Sequence, residues 1–259
     1  MDDFDIDLDN MLDSGSNKPV ITNTNNNGNK GDRVSLFKDL TIRPKNMDSI
    51  TFDNTDSKSF AVFDNGNITD EKMKLLKQIC SFLFNLGYVY RSTADNRSAV
   101  DKAIREIPGA RIKVYKLWSK AKDDNNGFQV ESEKTTRLAY ELAANYHKKF
   151  LEQKDIVRCL NARTVQVLLG PECKTPVSFM LLYTDCGSNG FSKSFKIETA
   201  GFTWFPLKIA KDAAISTFNV NNDDFVPTMQ KYLKSVGAIK PKEEEKPKTD
   251  DLIGSLDEF

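Results

Sequence analysis

The feature that most constrains this chain is residues 87–104, GYVYRSTADNRSAVDKAI. It reads as a strand that breaks into a polar turn and then opens a helix. Gly87 supplies the positive-φ stop to a preceding helix. Tyr88, Val89 and Tyr90 are β-formers, residues 92–98 are small or polar, and Ala99, Val100, Ala103 and Ile104 recur at helical spacing. A strand that runs through a short turn into a helix belongs to an α/β fold, and in an open α/β sheet ligands sit at the carboxyl ends of the strands. The turn is therefore the first candidate site. A helix N-terminus beside Arg91 and Arg97 suits an anion such as phosphate; an ordinary βα connection with solvated arginines fits the same spacing.

The flanking segments extend the pattern. Ser59, Phe60, Ala61, Val62 and Phe63 form a first core strand, and Asp64-Asn65-Gly66-Asn67 is a turn signal. Thr69 can cap a helix with Asp70 and Glu71 in its first turn, and Met73, Leu76, Ile79, Cys80 and Leu83 share one face. This completes a βαβ unit, whose crossover is expected to be right-handed. Further on, the sequence predicts a strand over 111–115, a polar stretch over 119–127, and helices over about 131–153 and 156–169. Arg158 and Arg163 on the second of these either reach the ligand edge of the sheet or lie on a solvated face. Residues 177–183 form a continuous apolar run, suited to a strand buried on both faces. A strand over 215–220 follows, then a last helix marked by Val226, Met229, Leu233 and Val236 and stopped by Gly237.

These residues resemble the Rossmann-like SLOG superfamily, which includes the DNA-processing protein of natural transformation, the lonely-guy phosphoribohydrolases and small phage-encoded relatives. Their turn reads R-S-G-G-A-x-G-A-D. Arg91, Ser92, Ala94 and Asp101 match in kind, while Thr93, Asp95, Asn96 and Arg97 stand where glycines let a backbone approach phosphate. The segment from Arg158 to Gly170, followed by Thr175-Pro176-Val177-Ser178-Phe179, is similar to the phage relatives' R-x-L-x-A-R-N-x-x-Q-V-L-G … T-P-x-D-F. Their second glycine signature is reduced here to Gly201, with Thr203 and Trp204 beside it. The resemblance covers residues 58–220 and implies a parallel sheet flanked by helices. The lonely-guy motif P-G-G-x-G-T-x-x-E is absent, because residues 200–212 contain Gly201 and Thr203 but no glutamate. Nucleotide hydrolysis, which needs a placed carboxylate, is accordingly disfavoured, and no residue is assigned a catalytic role. His147 falls where phage relatives have a histidine followed by proline, but here Lys148 follows; a surface or half-buried histidine is expected.

Formal net charge is zero, with 37 basic and 37 acidic residues. Residues 1–15 hold six acids and residues 249–259 hold four, with no base in either segment. Removing those ten acids leaves 27 against 37 bases, so the body between the tails is formally +10. Such a basic body is the electrostatic footprint of a nucleic-acid binder. Phe191, Phe195 and Trp204 interleave with Lys193 and Lys196, a pattern suited to stacking on bases beside phosphate contacts; packing of those rings into the core is the alternative. The Asn-rich residues 14–32 read as a flexible linker, and the chain divides into an acidic tail (1–32), an α/β domain (33–237) and a charged linker with a second acidic tail (238–259). The last segment, ending in Phe259, resembles the tails of bacterial and phage single-stranded-DNA-binding proteins, which recruit partners and compete with DNA.

The four cysteines show no paired spacing and there is one histidine, so neither a structural zinc site nor a cofactor is expected. With no signal peptide and no long apolar run, the expectation is an intracellular protein, cytoplasmic if the host is a bacterium. The sequence thus points to a Rossmann-like α/β protein with disordered acidic tails that binds DNA, its strandedness left open, in phage-type DNA metabolism, with a nucleotide-binding module as the alternative. The expected DNA- or nucleotide-binding residues are Arg91, Ser92, Thr93, Arg97, Arg158, Arg163, Lys193, Lys196, Thr203 and Trp204. Replication, recombination or transcription proteins are the expected partners of Phe4, Leu8, Leu252, Leu256 and Phe259 in the tails; no membrane partner is expected, and self-association is open.

Overall fold

A computed structural model of the chain describes residues 42–93, 98–115, 129–132 (backbone only), 135–147, 149–189 and 201–239. Six strands form one all-parallel sheet: β1 (Asp56–Asp64), β2 (Val89–Ser92), β3 (Ile112–Tyr115), β4 (Gln129–Ser132), β5 (Val177–Tyr183) and β6 (Ser216–Asn219), in the order β4-β3-β2-β1-β5-β6. From β1 the chain steps outward through β2 and β3 to β4, then returns to the other side of β1 for β5 and β6. Crossovers keep one hand, so helices before and after the reversal cover opposite faces, and the reversal leaves a crevice between β1 and β5.

One face is covered by α1 (Asp70–Asn85), α2 (Ala99–Arg105) and α6 (Phe225–Ser235). Alternation along the strands decides what this face buries: Phe60 and Val62 of β1, Tyr90 of β2, Ile112 and Val114 of β3, Phe179 and Leu181 of β5, and Phe218 of β6 meet Leu76, Cys80, Leu83, Ile104, Met229 and Leu233 of the helices. Phe60 anchors the centre, with its ring 5.6–5.9 Å from those of Phe84, Tyr90 and Phe179. Cys80 is fully buried there as a small hydrophobe. The other face carries α3 (Arg137–Tyr146), α4 (Asp155–Leu169) and α5 (Trp204–Asp212). In α4 every residue from Ala162 to Leu169 is buried.

Helix ends follow the local chemistry of the sequence. Thr69, Ser98 and Thr136 each accept a backbone N–H of the first turn at the starts of α1, α2 and α3. Gly170 ends α4 at φ +82°, and a Cβ there would lie 2.0 Å from Thr175 Oγ1, so a glycine is required both by the dihedral and by the close return of the chain. The expected helix over 131–153 is shorter than its pattern: residues 129–132 are the edge strand β4 and the helix begins at Arg137. Among the described residues no helix is long and apolar enough to cross a membrane.

Candidate functional site

The carboxyl ends of β1, β2, β5 and β6 converge around the reversal point, and carboxylates and amides crown them. At the end of β1, Asp64 lies two positions beyond Val62 and so on the face covered by α1 and α2. Burial raises its pKa, and the nearby Asp101 carboxyl adds to the rise. Asp64 Oδ2 accepts the Gly66 N–H at 2.9 Å, and Asn65 Oδ1 accepts the Asn67 N–H at 3.1 Å. Two backbone donors of this loop, at Gly66 and Asn67, are thus spent within it. Asn67 also donates to Asp185 Oδ2 at 3.1 Å, tying the end of β1 to the end of β5.

Beside it, Asp101 is buried in the first turn of α2 and accepts from Tyr90 Oη (2.6 Å), Ser92 Oγ and Arg105 Nε (3.0 Å). Desolvation outweighs these donors and raises its pKa. The Tyr90 hydroxyl is held far above its ordinary range by burial and by the same carboxylate.

On the β5–β6 side, an open cleft of about 430 Å³ is lined by Asp185, Cys186, Gly187 and residues 221–224, three of its seven residues being aspartates. Asn219 fastens its floor by donating to Thr184 Oγ1 (2.6 Å) and Ser188 O (3.0 Å), and Asn221 bridges to the carbonyls of Thr184 and Asp185. Gly201, opening the 3-10 turn Gly201–Thr203 ahead of α5, lies so close to the β1 loop that a Cβ on it would sit 3.3 Å from Asn65 Cβ. Among the described residues, no cluster of three His, Cys, Asp or Glu side chains could hold a metal ion.

Some of the residues singled out from sequence lie at this edge and others do not. Ser92 ends β2 and donates to Asp101, and Thr93 follows it, half-buried. Thr203 is fully buried at the start of α5. Trp204 is half-buried, its ring 5.1 Å from that of His147. Arg91 turns the other way. Its side chain is 3 % exposed; it donates to Thr175 O at 2.9 Å and pairs with Asp56 at 3.1 Å, beside the C-terminus of α4 and therefore at the amino end of the sheet. Burial pushes the Asp56 carboxyl up, but the Arg91 hydrogen bond and charge outweigh it and the net pKa is lowered.

Arg163 is fully buried inside α4 and donates to Gln166 Oε1 at 2.8 Å, with Tyr115 and Tyr140 nearby. Neither a solvated arginine nor a ligand contact describes these two; both are internal. Arg158 pairs with Asp155 on the first turn of its own helix. Arg97, Lys193, Lys196 and the tail residues Phe4, Leu8, Leu252, Leu256 and Phe259 lie outside the described residues.

Sequence reasoning missed Asp64, which it read only as a turn residue, and Asp185. The signal for Asp64 was present: alternation from Phe60 through Val62 places it on a buried face. His147 is 8 % exposed rather than at the surface, stacked among Phe150, Trp204 and Phe205, and its Nε2 has no hydrogen-bond partner among the described residues. Burial, with a smaller contribution from Lys208, lowers its pKa to about 4. No protein-family model matches the chain, and no curated protein or solved structure is similar to it at a significant level.

Proposed function

We propose that the chain is a non-enzymatic DNA-binding protein whose basic α/β body holds the phosphate backbone, with the acidic ends limiting that binding or recruiting partner proteins. The observation that carries this reading is the charge layout: a body of formal charge +10 between two segments that carry acids and no base. The crown of the sheet supports it by weakening the main competitor. A nucleotide hydrolase needs free backbone donors facing its phosphates, whereas here two N–H groups of the loop after β1, at Gly66 and Asn67, are taken by Asp64 and Asn65. Binding of this kind is largely indifferent to sequence and falls with salt as counterions are released.

The test is fluorescence anisotropy of the intact chain with labelled single- and double-stranded DNA across a salt series, with a nucleotide panel as competitor. Salt-dependent binding that nucleotides do not displace is expected. Retention of one nucleotide with no DNA binding would overturn the reading in favour of a ligand module. That second reading has one specific observation behind it: the reversal of strand order between β1 and β5, with Gly201 pressed against Asn65, forms the crevice in which α/β proteins take small ligands.

A further inference from the structure

If the chain binds DNA, the edge of the sheet that holds it is open to argument from charge. The carboxyl edge presents Asp64, Asp185, Asp223 and Asp224, with Asp70 and Glu71 in the first turn of α1. A phosphate chain laid across the ends of β1, β5 and β6 would meet like charge. The amino edge has the opposite character. Lys58 of β1 is exposed and fixed in place, with its Nζ 3.3 Å from Leu86 O and 4.7 Å from the centre of the Tyr88 ring. Arg111, exposed just ahead of β3, brings its guanidinium to within 3.9 Å of where a Cβ on Gly87 would stand. These two cations therefore flank the short connector from Leu86 to Tyr88, on strands two spacings apart, about 10 Å.

The last turn of α6 adds two more. Tyr232 packs its ring 5.4 Å from Phe179, whose ring lies 5.5 Å from that of Tyr88. Exposed Lys231 and Lys234, three apart on the helix, share one side of it next to Tyr232. None of the four cations is ion-paired with a described carboxylate. The acid closest to them in the sheet, Asp56, is neutralised from within by buried Arg91. Arg91 thus serves this surface without touching a ligand, by cancelling the one strand carboxylate that would oppose it.

We propose that the amino edge of the sheet, through Lys58, Arg111, Lys231 and Lys234, is the surface that holds the phosphate backbone of DNA, on the side of the molecule opposite the usual ligand crevice. This rests on the DNA-binding reading above. Each cation is a point contact to phosphate, so the surface is indifferent to base sequence and its strength is set by salt.

The experiment compares three full-length proteins by anisotropy with single- and double-stranded oligonucleotides from about 50 to 300 mM salt, a range in which backbone contacts dominate affinity. They are the intact chain, the amino-edge variant K58Q/R111Q/K231Q/K234Q, and a carboxyl-edge control, K72Q/K154Q, whose lysines lie in the first turn of α1 and just ahead of α4. All substituted side chains lie on the surface, and matching circular dichroism melts verify the fold. The amino-edge variant is expected to lower the slope of log K against log salt by about 3 and to weaken binding at least about tenfold at 100 mM salt, with the control near the intact chain. An amino-edge variant that binds like the intact chain overturns the placement and leaves the DNA reading standing. An intact chain that binds neither oligonucleotide overturns the placement together with the reading beneath it. Loss on one strand type alone supports the placement and identifies the substrate.

Discussion

Two buried basic side chains, one neutral and one charged, decide how the interior responds to solution conditions. His147 is neutral in the folded protein at neutral pH, its pKa lowered by burial to about 4 from the ordinary histidine range. The unfolded chain takes up its proton near pH 6.5, so the stability that the neutral ring contributes is lost progressively as pH falls from there to about 4. The cost approaches about 3 kcal/mol. Replacement by phenylalanine, which keeps a ring among Phe150, Trp204 and Phe205, is expected to be more stable than the wild type at pH 4.5 and to converge with it near pH 7, as read from urea midpoints. Arg91 works in the other direction. Its removal leaves the Thr175 carbonyl and the partly buried Asp56 without their donor. Arg91→Met is expected to cost about 3 kcal/mol in thermal or urea unfolding, while removing at most about one unit of the DNA salt slope. A loss of slope without a loss of stability would assign Arg91 a direct phosphate contact instead.

At the scale of elements, the connections carry more of the specification than the apolar runs do. Gly170→Ala is expected to destabilise by more than about 1 kcal/mol, because alanine resists a positive φ and its methyl group collides with Thr175. Ser98→Ala removes the cap of a seven-residue helix and is expected to cost about 1 kcal/mol, measurable as earlier fraying of α2 in amide exchange. Caps, stops and core faces were legible: Thr69, Gly87 and Gly237 punctuate the chain as their chemistry dictates, and the apolar run from Val177 to Tyr183 is a central strand end to end. Long-range satisfaction was not. Nothing within a few residues of Arg91 indicates that its acceptors lie at Asp56 and Thr175, so an arginine next to a turn reads as a ligand group. Arg163 misleads for the same reason, since its helix is buried nearly all round. The strand β4 was hidden because its four residues adjoin a helical pattern, although the Asn126-Gly127 turn signal stands just ahead of them. Asp64 was readable in principle, by strand alternation, but the Asp-Asn-Gly-Asn turn signal masked it.

At the scale of the whole molecule, charge is segregated twice: between the acidic ends and the basic body in sequence, and between the two edges of the sheet in space. A chain lacking residues 1–15 and 249–259 is expected to bind DNA more tightly than the intact protein, with the difference shrinking as salt rises and screening takes over. Equal affinities at low salt would remove the tails from the binding mechanism. The strand order has another consequence, for the chain as it leaves the ribosome. β1 acquires its first partner, β2, within about thirty residues, but its other flank waits for β5, whose last residue is Tyr183. At synthesis rates of roughly 5–20 residues per second, the strand destined for the centre of the sheet spends on the order of ten seconds as an unpaired margin. Its Phe60, Ala61 and Val62 then flank a row of open backbone groups, the condition in which sheets join to the wrong neighbour. Nascent chains stalled between residues 120 and 180 should therefore be the form of this protein most dependent on chaperones.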